Sequence, residues 1–328
     1  MTDAALVARI YEQGAPDVLK LEEVDLPPPG PGEARIAHTA IGLNFADIYL
    51  RRGDPGPHSV SSFPAVPGTQ GAGRVEAVGE GVTEVRPGDR VAYVHPEAYA
   101  TVRNVPAARL VALPDDVADD VAAATLLRAM TADYLVHRLY PIREGDWALV
   151  SAAAGGVGLI LSRWARALGA TVIGTAGGPD KVRLAREGGC HHVIDYRAED
   201  FVEGVRRITD GAGVHVVYDS VGRDTFIPSL ECLRPMGMGI NYGTASGPVP
   251  AFPLQDLHHK SLIVSRPTLR TYIASRDDLV ASANRVFAAA RDGTIRLDVG
   301  PRYDFRDVVK AHDDLEARRT TGAPVLVP

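Results

Sequence analysis

The sequence predicts an α/β protein in which a doubly wound parallel sheet follows a β-rich first part. Three observations lead to this prediction: short alternating strands with glycine and proline turns up to about residue 120, helices alternating with strands beyond it, and a glycine-rich turn at 153–158. Regular alternation of helix and strand favours a parallel sheet covered by helices on both faces. At 328 residues and 45% hydrophobic content, the chain is long enough for two ordinary domains.

The first part, residues 1–121, has the sequence pattern of a β-rich domain. Charged and apolar residues alternate from Arg74 to Ala77, which is the period of a half-buried strand. The pair Pro87-Gly88 suits a type II turn, in which glycine takes the position with positive φ.

Residues 122–267 predict six strands with helices between them, the number in a complete dinucleotide fold. The predicted strands are 147–151, 171–175, 192–195, 214–219, 237–242 and 262–266. The remaining segment, 268–328, predicts helices at about 276–291 and 305–319 and ends in the apolar run VLVP. It is too small to fold alone, so we expect it to return to the first domain.

The glycine-rich turn carries the strongest chemical signal in the chain. Ala153, Gly155 and Gly158 occupy the three slots of GxGxxG, with alanine in the first slot. Gly155 lets the backbone approach a pyrophosphate, and Gly158 lets the next helix pack closely on the strand. Because an apolar helical stripe follows and ends at Gly169, we predict a Rossmann-type fold. Its cofactor-binding turn comprises Gly155, Gly156, Val157 and Gly158.

The end of the second strand of this fold favours NADPH over NADH. NAD-specific folds place an acidic residue there to bind the ribose hydroxyls, but this chain has Thr175 followed by Ala-Gly-Gly. Lys181 could supply a positive charge to a 2′-phosphate, although it could also be a solvated helix lysine. The negative charge of Asp180 argues against a 2′-phosphate at this position. We predict instead that its carboxylate caps a helix over Lys181–Glu187, which gives it a structural role.

Composition excludes several other classes of protein. The net charge of -6, without a basic block, argues against nucleic acid as the main partner. No apolar run approaches membrane-spanning length and the N-terminus lacks a signal-peptide pattern, so we expect a cytoplasmic protein. The two cysteines exclude a disulfide framework and a four-cysteine zinc site.

Seven segments together resemble a known family. They are AIGLNFADIYLRRG (40–53), PGTQGAGRVEAVG (67–79), AAAGGVG (152–158), VIDYRAED (193–200), VVYDSVGRDTF (216–226), SRPTL (265–269) and AHDDLEARRTTG (311–322). In this order they resemble the zeta-crystallin-like quinone oxidoreductases of the medium-chain dehydrogenase/reductase superfamily. The resemblance implies a GroES-like catalytic domain built from both chain ends and a nucleotide-binding domain between them. It also implies a homodimer formed through the outer strand, about 262–266.

The resemblance also assigns cofactor residues. It implies that Lys181, Tyr196 and Arg318 surround the 2′-phosphate of NADPH. The residues that it implies for the rest of the cofactor site are Asn44, Thr131, Ser220, Tyr242, Gly243 and Arg266. Structural roles remain as alternatives, because Tyr196, Tyr242 and Arg266 could each pack at a strand end and Arg318 could face a helix terminus.

The same comparison predicts that the protein uses no metal. Zinc-dependent relatives have a cysteine at the position of Asn44, a His-Glu pair at Thr69-Gln70, and a cysteine-rich lobe that this chain lacks. The cluster Cys190-His191-His192 cannot converge on one ion, since adjacent side chains of a strand point to opposite faces. Gln70 also departs from the glutamate usual in the family.

Without a Lewis acid, reduction of a conjugated acceptor is easier than alcohol oxidation. Negative charge on a quinone or enone oxygen is delocalised, and a few hydrogen-bond donors can stabilise it. Asn44 and Tyr49 are the predicted donors. We therefore predict an NADPH-dependent quinone reductase, with an enone or 2-alkenal double-bond reductase as the alternative. A NADPH-binding structural or regulatory protein with little turnover is the alternative from another class.

Overall fold

The structure is a computed structural model that describes residues 4–54, 62–317, 319–320 and 322–328. The strands of the described residues are β1 (Ala4–Arg9), β2 (Lys20–Asp25), β3 (Glu33–Gly42), β4 (Gln70–Val78), β5 (Arg90–Val94), β6 (Val102–Pro106), β7 (Leu110–Ala112), β8 (Trp147–Val150), β9 (Thr171–Ala176), β10 (His192–Asp195), β11 (Val214–Asp219), β12 (Leu233–Asn241), β13 (Ile263–Ser265), β14 (Val299–Asp304) and β15 (Ala323–Val327). Their α-helices are α1 (Phe45–Arg52), α2 (Asp119–Tyr134), α3 (Gly156–Ala167), α4 (Pro179–Glu187), α5 (Phe201–Ile208), α6 (Phe226–Leu230), α7 (Leu269–Tyr272), α8 (Arg276–Arg291) and α9 (Val308–Glu316).

The chain divides into two compact units. The first contains residues 1–127, 276–287 and 297–328, and the second contains residues 128–275 and 288–296. Within the described residues, no helix is both long and apolar enough to cross a membrane.

The first unit is built on a largely antiparallel sheet in the order β14-β15-β3-β4-β5-β7, with β6 also paired to β3. The last strand, β15, pairs antiparallel with β3, so the C-terminal segment completes the sheet that the N-terminal segment begins. The predicted type II turn is confirmed, because Gly88 has φ +95° and the N–H of Asp89 donates to the carbonyl of Arg86. Buried aliphatic and aromatic side chains from β3, β5 and α9 form the core of this unit.

The second unit contains six parallel strands in the order β10-β9-β8-β11-β12-β13. This order confirms the predicted Rossmann-type sheet, with helices α3 to α6 following its strands. The inward face of α3 buries Ile160, Leu161 and Trp164, and Gly169 follows the helix with φ +93°. The first strand of the motif, β8, therefore leads into α3, whose N-terminus lies at the carboxyl edge of the sheet.

Two helix predictions need correction at their starts. The helix expected at Lys181–Glu187 begins at Pro179, because proline fits the first helical position and Gly178 precedes it. Asp180 consequently lies inside the first turn with a 96% exposed side chain, and the prediction that it caps this helix is wrong. The helix expected at 305–319 is a 3₁₀ turn over Phe305–Asp307 followed by α9.

Candidate active site

The glycine turn between β8 and α3 has the geometry that the sequence predicts. A Cβ on Gly158 would lie 2.5 Å from the carbonyl oxygen of Ala152, so only glycine permits this close packing. Gly155 precedes the helix in an extended conformation, and α3 begins at Gly156. By helix geometry the first N–H groups, those of Gly156 and Val157 among them, have no intrahelical acceptor and point out of the helix end. This turn can therefore accept an anionic group such as a pyrophosphate.

Arg128 adds a positive charge to this turn. The residue lies on α2, and one of its guanidinium nitrogens is 2.9 Å from the position that a Cβ on Gly156 would occupy. Thr131, one helical turn further along α2, is buried. Sequence reasoning selected Thr131 but missed Arg128, because no local pattern connects an arginine of the preceding helix to the glycine motif.

The neighbouring turn, between β9 and α4, forms a second cradle. Thr175 is buried near the end of β9, and Gly177 and Gly178 follow the strand. A Cβ on Gly177 would collide with the hydroxyl of Tyr196, whose side chain is 50% exposed beside the turn. Lys181 is exposed on the first turn of α4. The turn, Tyr196 and Lys181 thus lie at one corner of the sheet, while Arg318 lies outside the described residues.

Two features of this corner escaped the sequence analysis. Asp195, the last residue of β10, accepts hydrogen bonds through Oδ1 from the N–H groups of Gly178 and Arg197, each at 3.0 Å. The guanidinium of Arg197 lies 3.5 Å from the position that a Cβ on Gly178 would occupy. A strand pattern alone does not reveal these contacts, because they depend on the parallel pairing of β9 with β10.

Four other predicted residues meet at the carboxyl ends of β11, β12 and β13. A Cβ on Gly243 would lie 2.5 Å from the carbonyl oxygen of Ser220, so the two loops touch through backbone atoms. Tyr242 donates its N–H to the carbonyl of Asp219, and burial raises the pKa of its phenol. Arg266 donates from Nη1 to the carbonyl of Asn241 at 3.1 Å.

The buried carboxylate of Asp219 holds these loops in place. It accepts hydrogen bonds from the N–H of Gly222 at 2.8 Å and from the side-chain amide of Asn241 at 2.9 Å. It also accepts from the hydroxyl of Thr225. The amide of Asn241 donates in addition to the carbonyl of Gly243. Ser220 and Gly243 therefore sit on loops fixed by one hydrogen-bonded network.

Asn44 lies in the first unit, at the N-terminus of α1. Its backbone is extended, its side chain is buried, and its amide nitrogen Nδ2 lies 3.3 Å from the hydroxyl of Thr69. Its backbone N–H donates to Oδ2 of Asp47 at 2.8 Å, which fixes the start of the helix. The carboxamide is therefore held in a defined position rather than left to rotate in solvent.

A buried network supports this helix start. The hydroxyl of Tyr99 donates to Oδ2 of Asp47 at 3.2 Å and is 2.9 Å from Nε2 of His312. Tyr99, Asp47 and His312 are all fully buried. Burial, together with the nearby Arg51 cation, lowers the pKa of His312 to about 3, so this imidazole is neutral.

Tyr49 is half-buried on the second turn of α1, and its ring packs against that of Phe45 with a centroid distance of 6.3 Å. Phe45 directly follows Asn44 and is 41% exposed. Sequence reasoning selected Tyr49 for its hydroxyl but missed Phe45, whose exposure only the structure reveals. Phe45 thus exposes aromatic surface at the residue that follows Asn44.

The residues considered as metal ligands have other partners. Cys190 donates from Sγ to the hydroxyl of Ser162, and Nδ1 of His191 accepts from the N–H of Val172. The ring of His192 stacks on Trp147. In the part of the chain that the structure describes, no group of three or more histidine, cysteine and acidic side chains has the geometry of a metal site.

Both units match known family models. Residues 30–115 match the alcohol dehydrogenase GroES-like domain, and residues 156–284 match the zinc-binding dehydrogenase family. The names describe the families as a whole, and the second does not assign zinc to this chain.

Relatives of full length narrow the classification. The chain is 44% identical to a 2-haloacrylate reductase from a Burkholderia species, over 98% of this chain and 99% of the relative. It is also 44% identical to a quinone oxidoreductase from Pseudomonas aeruginosa, over 96% of this chain and 97% of the relative. The crystal structure of the Escherichia coli quinone oxidoreductase complexed with NADPH superimposes with a TM-score of 0.92 at 40% identity, covering 98% of this chain and 100% of that chain. From its fold, its glycine turn and these full-length similarities, we conclude that the chain belongs to the quinone oxidoreductase family of the medium-chain dehydrogenase/reductase superfamily.

Proposed function

We propose that this protein is an NADPH-dependent quinone reductase that needs no metal ion. The observation that carries the proposal is the corner of the Rossmann sheet where an acidic residue would bind the ribose of NAD. There the chain has buried Thr175 and two glycines, flanked by exposed Lys181 and Tyr196. In a family whose members include quinone oxidoreductases, a neutral turn beside a cation favours a cofactor with a 2′-phosphate.

We infer which residues of this chain would hold each part of NADPH. The turn Gly155–Gly158 and Arg128 would hold the pyrophosphate, and Lys181 and Tyr196 the 2′-phosphate, with Arg318 as a further predicted partner. The residues proposed for the remaining contacts are Asn44, Thr131, Ser220, Tyr242, Gly243 and Arg266. When bound, NADPH supplies the hydride for the reduction.

Asn44 and Tyr49 would act on the acceptor. Its carbonyl oxygen gains negative charge during reduction, and a donor held in a buried position stabilises that charge without reorganising. Asn44 meets this condition because Thr69 and Asp47 fix its side chain and backbone. Tyr49 offers a phenolic O–H, and its pairing with Phe45 provides an aromatic face for a planar ring.

A second candidate function is reduction of an activated carbon–carbon double bond. It is favoured by the 44% identity to a 2-haloacrylate reductase, equal to the identity with the quinone oxidoreductase of Pseudomonas aeruginosa. Delocalised oxyanions arise in both reactions, so the same donors serve either one. The binding protein with little turnover is a weaker candidate, because the chain has the proposed donors Asn44 and Tyr49 in addition to the cofactor turn.

Steady-state kinetics on chelator-treated enzyme tests these candidates. Oxidation of NADPH and of NADH is followed with a para-benzoquinone, a medium-chain 2-enal and a 2-haloacrylate as acceptors. Rapid quinone turnover that prefers NADPH supports the proposal. Turnover of the enal or the haloacrylate alone assigns the protein to the double-bond reductases, and tight NADPH binding without turnover supports the binding protein.

We also propose a homodimer and a cytoplasmic location. In the described residues β13 pairs on one side only, with β12, and Ile263 on it is 51% exposed. The buried free thiols of Cys190 and Cys232 agree with a reducing compartment. From the sequence we propose a catalytic domain of residues 1–121 and 268–328 and a nucleotide-binding domain of residues 122–267. The compact units differ from this division at 122–127, 268–275 and 288–296.

A further inference from the structure

Asp195, at the end of β10, is an acidic residue hydrogen-bonded to the turn of the proposed 2′-phosphate site. Its Oδ1 accepts hydrogen bonds from the N–H groups of Gly178 and Arg197, each at 3.0 Å. These two bonds, the one from Gly178 above all, lower the pKa of the carboxyl group, so Asp195 is ionised at neutral pH. One carboxylate oxygen therefore ties the β9–α4 turn to the loop that carries Tyr196.

The position of this carboxylate creates a conflict. Gly178 has φ +90°, and the adjacent Gly177 lies under the Tyr196 hydroxyl, so the turn has one defined shape. Asp195 holds that shape, yet it brings a negative charge to a corner where we propose that a dianionic phosphate binds. The guanidinium of Arg197 lies over the same turn, 3.5 Å from the position of a Gly178 Cβ. Its charge opposes that of Asp195.

We propose that Asp195 and Arg197 together set the preference for NADPH over NADH, an inference that rests on the proposed function. Asp195 acts as a positioning residue through its hydrogen bonds, while its charge weakens binding of the 2′-phosphate. Arg197 offsets that charge and contacts the phosphate directly. The chain thus binds NADPH less tightly than the shape of the subsite alone would allow. Its preference for NADPH over NADH is smaller as a result.

Two variants distinguish the two roles of Asp195, as a hydrogen-bond acceptor and as a negative charge. Asp195→Asn keeps a side-chain oxygen that accepts both N–H groups but removes the charge, whereas Asp195→Ala removes both. Arg197→Gln removes the proposed phosphate contact. Arg186→Gln is the matched control, because Arg186 is an exposed cation in the last turn of α4. Each full-length variant is titrated calorimetrically with 2′,5′-ADP and with 5′-AMP, at low and at high ionic strength.

The expected pattern is specific. Asp195→Asn should bind 2′,5′-ADP roughly three- to tenfold more tightly at low ionic strength, with 5′-AMP unchanged and the gain shrinking in salt. Asp195→Ala should bind both ligands more weakly than Asp195→Asn, by about fivefold or more, because the turn loses its acceptor. Arg197→Gln should weaken 2′,5′-ADP alone, and the control should match the wild type.

Three results would overturn the inference while leaving the proposed function intact: Asp195→Asn binds 2′,5′-ADP no better than the wild type, the two Asp195 variants behave alike, or Arg197→Gln matches the control. A wild type that binds 2′,5′-ADP no more tightly than 5′-AMP overturns the proposed NADPH dependence itself, and the inference with it. The two failures are therefore distinguished by the behaviour of the wild-type protein.

Discussion

The side-chain oxygen of Gln70 lies 2.8 Å from the backbone nitrogen of Leu127 and accepts its hydrogen bond inside the protein. The amide nitrogen of the same side chain donates to the carbonyl of Ala124 at 3.3 Å. The fully buried, neutral carboxamide of Gln70 thus accepts a hydrogen bond from one backbone N–H of α2 and donates one to a backbone carbonyl of the same helix. An ionised carboxylate could accept from the N–H of Leu127 but could not donate to the carbonyl of Ala124. Glutamine at this position therefore matches the hydrogen bonds that this helix presents.

Gln70→Glu should make stability depend on pH. An ionised carboxylate at this position would be buried facing the Ala124 carbonyl, so we expect a loss of about 3 kcal/mol at neutral pH. Only the protonated form can donate, so the folded state raises the pKa above the unfolded value of about 4.3. Stability is then highest below the unfolded pKa and falls as pH rises towards the folded pKa.

Chemical denaturation of the Gln70→Glu variant at about pH 5 and about pH 8 measures this effect. Gln70→Leu is the control, since it removes both hydrogen bonds without adding a titrating group. Equal stability of the Glu variant at both pH values would contradict the assignment.

Lys181→Ala should raise the KM for NADPH about tenfold and leave the KM for NADH nearly unchanged. The variant removes a cation proposed to contact only the 2′-phosphate, and a charge-assisted hydrogen bond accounts for a loss of this size. Arg186→Ala, on the same helix, is the control for charge removal. If both cofactors weaken equally, Lys181 does not bind the phosphate.

Asn44→Ala should lower kcat with a quinone by about a hundredfold while changing NADPH affinity much less. Removal of one oxyanion donor from a fixed site has effects of this order. Asn44→Asp retains the shape but not the donor and should be similarly slow, so this variant separates loss of the hydrogen bond from loss of packing. Unimpaired turnover of Asn44→Ala would remove the residue from the reaction.

Acid should destabilise the protein partly through His312. Its pKa is about 3 in the folded state and 6.5 when unperturbed, so folding favours the neutral imidazole. The resulting stability is fully present above the unfolded pKa and is lost as pH falls towards about 3. A thermal melt series over this range should show a slope up to about 1.4 kcal/mol per pH unit smaller for His312→Gln. Replacement of the exposed His259 should leave the slope unchanged.

Ile263→Lys should dissociate the proposed homodimer. A lysine on the outer strand adds charge where two copies would pair, which is how natural sheet edges avoid association. Light scattering coupled to size-exclusion chromatography reports the mass directly. A wild-type monomer would refute the proposal, whereas a dimer that survives the substitution would locate its interface elsewhere.

The sequence determined the elements whose signals are local. The glycines at 155 and 158 predicted the turn before α3, because a residue without a side chain permits the same tight turn and close packing wherever a strand leads into a helix. Helix α8 has the predicted bounds, Arg276–Arg291. The six strands and their parallel pairing, though not their order in the sheet, also followed from their regular alternation with helices.

Only the tertiary structure decided which distant groups meet. The approach of Arg128 to Gly156, the bond from Gly178 to Asp195 and the two bonds of Gln70 join residues that are far apart in sequence. No periodicity encodes such contacts, since each depends on strand order and on where a loop ends. Asp180 shows where prediction from the local sequence fails. Its residue type is typical of a helix cap, but the helix begins at Pro179, so Asp180 lies in the first turn with its side chain exposed.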